Sequence, residues 1–154
     1  MSDSAAAAQQ IAEQVRAQML AHDTVLRTLG ITVDAIGPGS ARASMTVRAD
    51  MLNGFAICHG GLVATLADTA FAYACNAYDE LTVASGFAME LFAPSHEGDV
   101  LTAQANELNK SGRTGVYDIE VRNQRGQRIA AFRGRSYTMK GRPVIGGSPV
   151  TRGT

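Results

Sequence analysis

Two periods alternate along the chain. Residues 5–21 read as an amphipathic helix, because Ile11, Val15 and Met19 recur at four-residue steps and form an apolar stripe. Asp23 stands where it can cap a second short helix, Thr24 to Leu29, with Gly30 as its C-terminal stop. An N-terminal helical region over about residues 5–29 follows. Residues 31–36 are extended and rich in β-branched side chains, and Gly37-Pro38-Gly39 marks a turn. In residues 40–48, Ala41, Ala43, Met45 and Val47 alternate with Ser40, Arg42, Ser44, Thr46 and Arg48, the pattern of a half-buried antiparallel strand. From Gly60 to Tyr78 the period changes. This stretch predicts a helix of 19 residues, roughly 28 Å long. Its apolar side chains go all the way round, as in a buried helix.

Period two then returns. Residues 82–93 place Val83, Ser85, Phe87, Met89 and Leu91 on one side, and residues 99–108, 113–123 and 127–138 are three further strands. Asn109-Lys110-Ser111-Gly112 and Asn123-Gln124-Arg125-Gly126 are the turns between them. Residues 140–154, rich in glycine and proline, are expected to form a flexible C-terminal tail behind a single domain of residues 1–139. The order is helix, two strands, one long helix, four strands. It predicts an α+β fold in which an antiparallel sheet of about six strands wraps around one long central helix, with an N-terminal helix before it. The uncovered face and the sheet edges are expected to be closed by a second copy.

Composition narrows the class. A chain of 154 residues with 45% apolar and 18% charged residues can bury one core. No segment has the length and polarity of a membrane span, and Met1-Ser2-Asp3-Ser4 lacks the basic start of a signal peptide. Two cysteines, Cys58 and Cys75, are too few for a disulfide framework or a closed zinc site, so a cytoplasmic domain without a metal is expected. Net charge is zero but unevenly spread. Residues 1–109 hold 4 basic and 12 acidic side chains, and residues 110–154 hold 10 and 2. A zero total argues against wide phosphate contact with nucleic acid. The basic half either neutralises the acidic one across the fold or receives an anionic ligand, for which Lys110 and Arg113 are the candidates.

One residue breaks the pattern of the long helix. Asp68 is the only charged side chain between Phe55 and Tyr78. An unpaired carboxylate in apolar surroundings is costly, and a mid-helix position does not suit a cap, so Asp68 is a candidate for chemistry. The structural alternative is a hydrogen bond to Thr65 or Thr69. The same helix starts at His59-Gly60-Gly61, where free backbone N–H groups and the positive dipole end can receive a developing oxyanion and the glycines admit close approach. Asn53, before Gly54, either orients a carbonyl or a water, or simply makes a turn. Asp68 follows His59 by nine residues, about 13.5 Å of helix rise. Both ends can serve one reacting carbonyl only if they come from different copies, which makes the expected protein a dimer with its site at the interface.

Asn53-Gly54, Cys58-His59-Gly60-Gly61 and Leu66-Ala67-Asp68-Thr69-Ala70-Phe71-Ala72-Tyr73-Ala74-Cys75 resemble the hot-dog-fold acyl-CoA thioesterases, in particular those of the phenylacetate-degradation type. Val83-Ala84-Ser85, Gly98-Asp99, Thr114 to Glu120 and Phe132-Arg133-Gly134 are similar as well, so the likeness covers about residues 20–140. The resemblance implies that Asp68 is the catalytic acid residue, acting as general base on water or as nucleophile. It implies that the Gly60 N–H polarises the thioester carbonyl, that Asn53 and His59 lie near that carbonyl and the departing sulfur, and that Gly61 borders the substrate. It places Ser85 where some relatives hold the water. It further implies hydrolysis of a coenzyme A thioester, with hydroxyphenylacetyl and related aryl-acetyl groups typical, no cofactor beyond the substrate's own coenzyme A, no nucleic-acid or membrane partner, and dimers paired into tetramers. Two other readings remain: a non-catalytic acyl-CoA binding module, disfavoured by the buried carboxylate, and an acyl-thioester hydratase or dehydratase, disfavoured by the His-Gly-Gly placement.

Overall fold

A computed structural model describes residues 2–151. Helix α1 spans Asp3–His22 and α2 spans Thr24–Leu29. Ser2 Oγ accepts from the Ala5 N–H at 3.3 Å to start α1. Asp23 Oδ1 accepts from the Leu26 N–H at 3.4 Å to start α2, and Gly30, at φ 67°, ends it in the left-handed conformation. Of the expected stripe, Val15 is buried and Met19 packs partly buried on the core, but Ile11 is 40% exposed and Ala12 takes the inward position beside it. The Gln9 side chain, donating to the Ile36 carbonyl at 2.7 Å, holds α1 in this rotation.

Six strands follow: β1 (Thr32–Gly37), β2 (Ser40–Thr46), β3 (Thr82–Leu91), β4 (Val100–Ser111), β5 (Thr114–Arg122) and β6 (Arg128–Thr138). They form one antiparallel sheet in the order β1-β2-β4-β5-β6-β3. Between β2 and β3 in the chain runs the long helix α3, Gly60–Asn76, 17 residues, packed on the sheet with contacts to all six strands. Leu66, Phe71 and Tyr73 of α3 are buried with Met45, Leu101, Tyr117, Ile119 and Phe132 of the sheet. The Phe71 ring lies 5.4 Å from Tyr117 and 6.1 Å from Phe132, in tilted geometry that suits aromatic quadrupoles. It fills space left by Gly134, where a Cβ would come within 2.8 Å of the ring.

Helix α3 stops two residues before the expected Tyr78. Asn76 takes over its end, donating to the Thr82 carbonyl and accepting from the Thr82 N–H, both at 2.8 Å. The expectation of burial all round also needs correction. Gly61 is exposed, and Thr65, Asp68 and Ala72 are only partly covered, so one stripe of α3 faces outward.

Other differences lie in the strands and the C-terminal segment. A bulge between Ala84 and Gly86 breaks the period of β3. Phe87, Met89 and Leu91 pair with Gly134, Phe132 and Ala130, whereas Val83, opposite Tyr137, falls on the other side. β4 runs on to Ser111, because Gly112, at φ 61°, makes a tight turn in which Ser111 pairs with Thr114. Lys110 is therefore a strand residue. The segment after Met139 is fastened as far as Ile145. The Leu81 N–H donates to the Arg142 carbonyl and the Met139 N–H to the Leu81 carbonyl, both at 2.8 Å. Asp79 Oδ1 accepts from the N–H groups of Val144 and Ile145 at 2.9 and 2.8 Å. The expected tail thus begins later than residue 140, and its last residues, 152–154, lie outside the described residues.

The charge imbalance is partly resolved within the fold. Lys110 pairs with Glu80 at 2.9 Å and Arg125 with Asp99 at 3.1 Å, linking the basic half to the acidic one. Asp118 and Glu120 take Arg133, Arg122 and Arg128 within the basic half itself. Among the described residues no helix is long and apolar enough to cross a membrane.

Candidate active site

The start of α3 is built by the loop before it. Asn53 folds that loop: its Oδ1 accepts from the N–H of Phe55 at 2.9 Å and of Ile57 at 3.4 Å, and its backbone N–H donates to the Ile57 carbonyl at 2.8 Å. The turn role is therefore real, and it leaves the Asn53 amide NH₂ available as a donor. The Cys58 N–H donates to the Ser95 carbonyl at 2.8 Å and the His59 N–H to the Met51 carbonyl at 2.9 Å, which pins the chain where the helix begins. His59 is the N-cap but makes no side-chain cap bond. The His59 carbonyl accepts from Leu62 and Val63, and among the described residues the N–H groups of Gly60 and Gly61 have no acceptor. They are the orphan donors of a helix N-terminus.

A cleft of about 420 Å³ opens here, lined by Asn53, Cys58, Gly60, Val63 and the Leu91 to Ser95 segment. Gly60 is tightly overlaid: a Cβ there would meet Leu91 Cδ1 at 2.7 Å. Gly61 has nothing within 4 Å of where its Cβ would be and faces open space. Sequence reasoning missed Leu91, Phe92, Pro94 and Ser95 as walls of this cleft. The buried Ser95 carries little pattern of its own, and its placement depends on the Cys58 bond across the fold.

Asp68 lies in a second cleft, of about 300 Å³, which shares no lining residue with the first. Its walls include Met19 of α1, Phe71 and Cys75 of α3, Leu81, Ala84 and Val144. The structural alternative for Asp68 fails: Thr65 Oγ1 donates to the Gly61 carbonyl at 2.9 Å and Thr69 Oγ1 to the Thr65 carbonyl at 2.8 Å. No cation stands within ion-pair distance of Asp68 among the described residues. Desolvation therefore acts unopposed and raises the Asp68 pKa above the ordinary aspartate value. A carboxylate in that state is a stronger base than an exposed one.

The other sequence candidates are more scattered. Ser85 sits on the β3 bulge beside the Asp68 cleft, with Oγ donating to the Arg135 carbonyl at 3.2 Å. Lys110 is committed to Glu80 and lies 4.2 Å over the Tyr78 ring. Arg113, in the β4–β5 turn, donates to the Tyr137 hydroxyl at 3.2 Å. Neither cation lines either cleft. Cys58 and Cys75 are both buried free thiols with raised pKa values, chiefly through desolvation, as inert core sulfurs have.

An antiparallel six-stranded sheet folded round one long helix defines the hot-dog class. The family model of the thioesterase superfamily matches residues 55–130. The acyl-coenzyme A thioesterase PaaI of Escherichia coli is 45% identical over 123 residues, 80% of this chain and 88% of the relative. The solved structure of the Escherichia coli PaaI protein from the phenylacetic acid degradation operon superimposes with a TM-score of 0.85 at 43% identity, covering 86% of this chain and 96% of that one. A mutant of the phenylacetic acid degradation protein PaaI from Thermus thermophilus gives 0.72 at 37% identity, covering 75% and 98%. The chain belongs to the thioesterase superfamily, and it is a thioester hydrolase.

Proposed function

We propose that the protein hydrolyses coenzyme A thioesters of aryl-acetic acids, at sites shared between two copies of the chain. One observation carries this reading. A single continuous helix bears both an unpaired carboxylate and a set of free N–H donors, and the two open into separate clefts. Asp68 follows Gly60 by eight residues along the helix, about 12 Å of rise. One chain cannot bring both to one carbonyl. Two antiparallel copies can, twice over, by setting the outward stripe of one α3 against the other. The open outer edge of β3, with Phe87 53% and Leu91 54% exposed, offers further surface for the same pairing.

In such a site Asp68 takes a proton from water, and the hydroxide oxygen bonds to the thioester carbon. The carbonyl electrons move onto oxygen, where the Gly60 and Gly61 N–H groups of the partner subunit's α3 stabilise them. Collapse breaks the C–S bond, the coenzyme A sulfur leaves with the proton that Asp68 took from water, and the acid is released with Asp68 ionised again. Asn53 Nδ2, in the same cleft, is a donor toward the carbonyl or the sulfur, and the exposed His59, next to Gly60, is the second candidate. The reaction calls for no cofactor beyond the coenzyme A in the substrate. Arg113, without a carboxylate partner among the described residues, remains the candidate for a coenzyme A phosphate. The aryl-acetyl preference and a role in phenylacetate breakdown are supported by the names of the relatives. A cytoplasmic location follows from the substrate, whose charged coenzyme A does not cross membranes unaided. Dimers pairing into tetramers would complete the assembly.

Release of free thiol from a panel of acyl-CoAs tests the activity: phenylacetyl and hydroxyphenylacetyl thioesters should turn over fastest. A protein that binds these thioesters without releasing thiol would be a binding module instead. The shared site has its own test. Asp68→Ala and Asn53→Ala proteins, each severely impaired, are unfolded together, refolded as a mixture and assayed. Half of the dimers then carry one intact and one doubly altered site, so activity should return to about one quarter of the native level. Mixtures no more active than their components would place each site within one chain.

A further inference from the structure

We infer that the C-terminal segment after β6 is a built wall of the Asp68 cleft, and that Val144, held there by Asp79, sets the length of acyl group the enzyme accepts. The inference rests on the proposed thioesterase reading, since it takes Asp68 to mark where the thioester carbon sits.

The segment lies beyond residue 130, where the match to the family model ends. It is nonetheless fixed in three ways. Backbone bonds tie Met139 and Arg142 to Leu81. Asp79 Oδ1 accepts two N–H groups, from Val144 and Ile145. Asp79 itself adopts φ 59°, a conformation uncommon outside glycine that Asp and Asn tolerate better than most. The chain then turns back with the Gly147 N–H donating to the Val144 carbonyl at 3.2 Å. This turn needs Gly146 at φ 67°, and Gly147 has no room for a Cβ because it would collide with the Pro143 carbonyl oxygen. A loose end has no reason to meet such conditions.

What the segment delivers is one apolar side chain. Val144 lines the cleft together with Met19, Phe71 and Leu81, all apolar, and Asp68 stands among them. An acyl group whose carbonyl carbon lies at Asp68 would extend toward these side chains. A dry cavity of about 150 Å³ holds a benzene ring. The Asp68 cleft, at about 300 Å³, has room for one ring and its methylene, and Val144 bounds it on the side of the C-terminal segment. Val144 is the wall supplied by the segment, so its size should decide where an acyl chain stops.

The test compares kcat/KM for acetyl-, phenylacetyl-, 4-phenylbutyryl- and decanoyl-CoA. Val144→Gly should raise the decanoyl and phenylbutyryl rates relative to phenylacetyl about tenfold or more, within the range that a few methylenes command in an apolar pocket. Val144→Phe should lower phenylacetyl relative to acetyl by a similar factor. Asp79→Gly, which keeps the backbone conformation and removes the acceptor, should act like Val144→Gly, and Asp79→Asn, which keeps a carbonyl acceptor, should preserve the native ratios. These are ratios within one protein preparation, so a general loss of folded enzyme does not move them. Ratios within twofold of native in both Val144 variants would overturn the inference while leaving the thioesterase reading intact. A native protein that releases no thiol from any of the four would overturn that reading first, and the inference with it.

Discussion

Asp68→Asn is expected to lower thioester hydrolysis roughly 10²- to 10⁴-fold, the usual worth of a positioned acid or base, while making the fold more resistant to heat at neutral pH. Both effects have one origin. The carboxylate is half-buried with no cation and no hydrogen-bond donor beside it among the described residues, and desolvation raises its pKa. Because the folded-state pKa lies above the unfolded one, the folded state holds the proton more tightly. Stability from this group is full below the unfolded pKa and is lost as pH rises through the folded one. At neutral pH the charge is a burden to the fold, and the neutral amide removes it. Activity runs the other way, because only the ionised form can take a proton from water. The native kcat/KM should therefore climb with pH through a limb set above the ordinary aspartate range, and the residual rate of Asp68→Asn should lack that limb. Initial rates of thiol release across pH, with thermal melts of both proteins, check the pair. An Asp68→Asn protein within tenfold of native activity would remove the residue from the chemistry.

Phe71→Ala should cost about 3–5 kcal/mol of stability, as for other large-to-small aromatic changes in a core. At fixed protein concentration that lowers the melting temperature by something on the order of 10 °C. Phe71 is 1% exposed, packs against Tyr117 and Phe132, and occupies the hollow over Gly134. Truncation leaves a void that glycine, having no side chain, cannot fill from below. The helix that carries Asp68 and Gly60 is pressed onto the sheet through this ring, so activity should fall along with stability. Urea unfolding at matched concentrations measures the cost. A loss under 1 kcal/mol would show that neighbouring side chains collapse into the space.

Much of this was legible in the sequence because the strongest cues are local. The switch from period two to a long apolar run and back located the central helix and its six strands. Asp68 stood out because a lone charge in such a run has a physical cost whatever surrounds it. The elements that escaped depend on non-local contacts. Ile11 and Ala12 are one residue apart, and the packing of α1 on β1, with the Gln9 bond to the Ile36 carbonyl, sets which of them is buried. The β3 bulge is set by pairing with β6; Gly86 inside the strand is its one local cue, and it does not say which residue is the extra one. Lys110 reads in the sequence as a turn cation, but Glu80, 30 positions earlier, pairs with it. The C-terminal segment lacked periodicity because side-chain capture by Asp79, not a repeating ladder, holds it.

Helix α3 is anchored at both extremities, by the His59 bond to Met51 at one and by the two Asn76 bonds to Thr82 at the other. Each added or deleted residue between Gly60 and Asp68 would swing the carboxylate by about 100° around the rod, out of its cleft and into the sheet or toward bulk water. The interval from Gly61 to Ala67 is thus frozen in its count: a length change there uncouples the two ends of the rod even where every remaining side chain is kept.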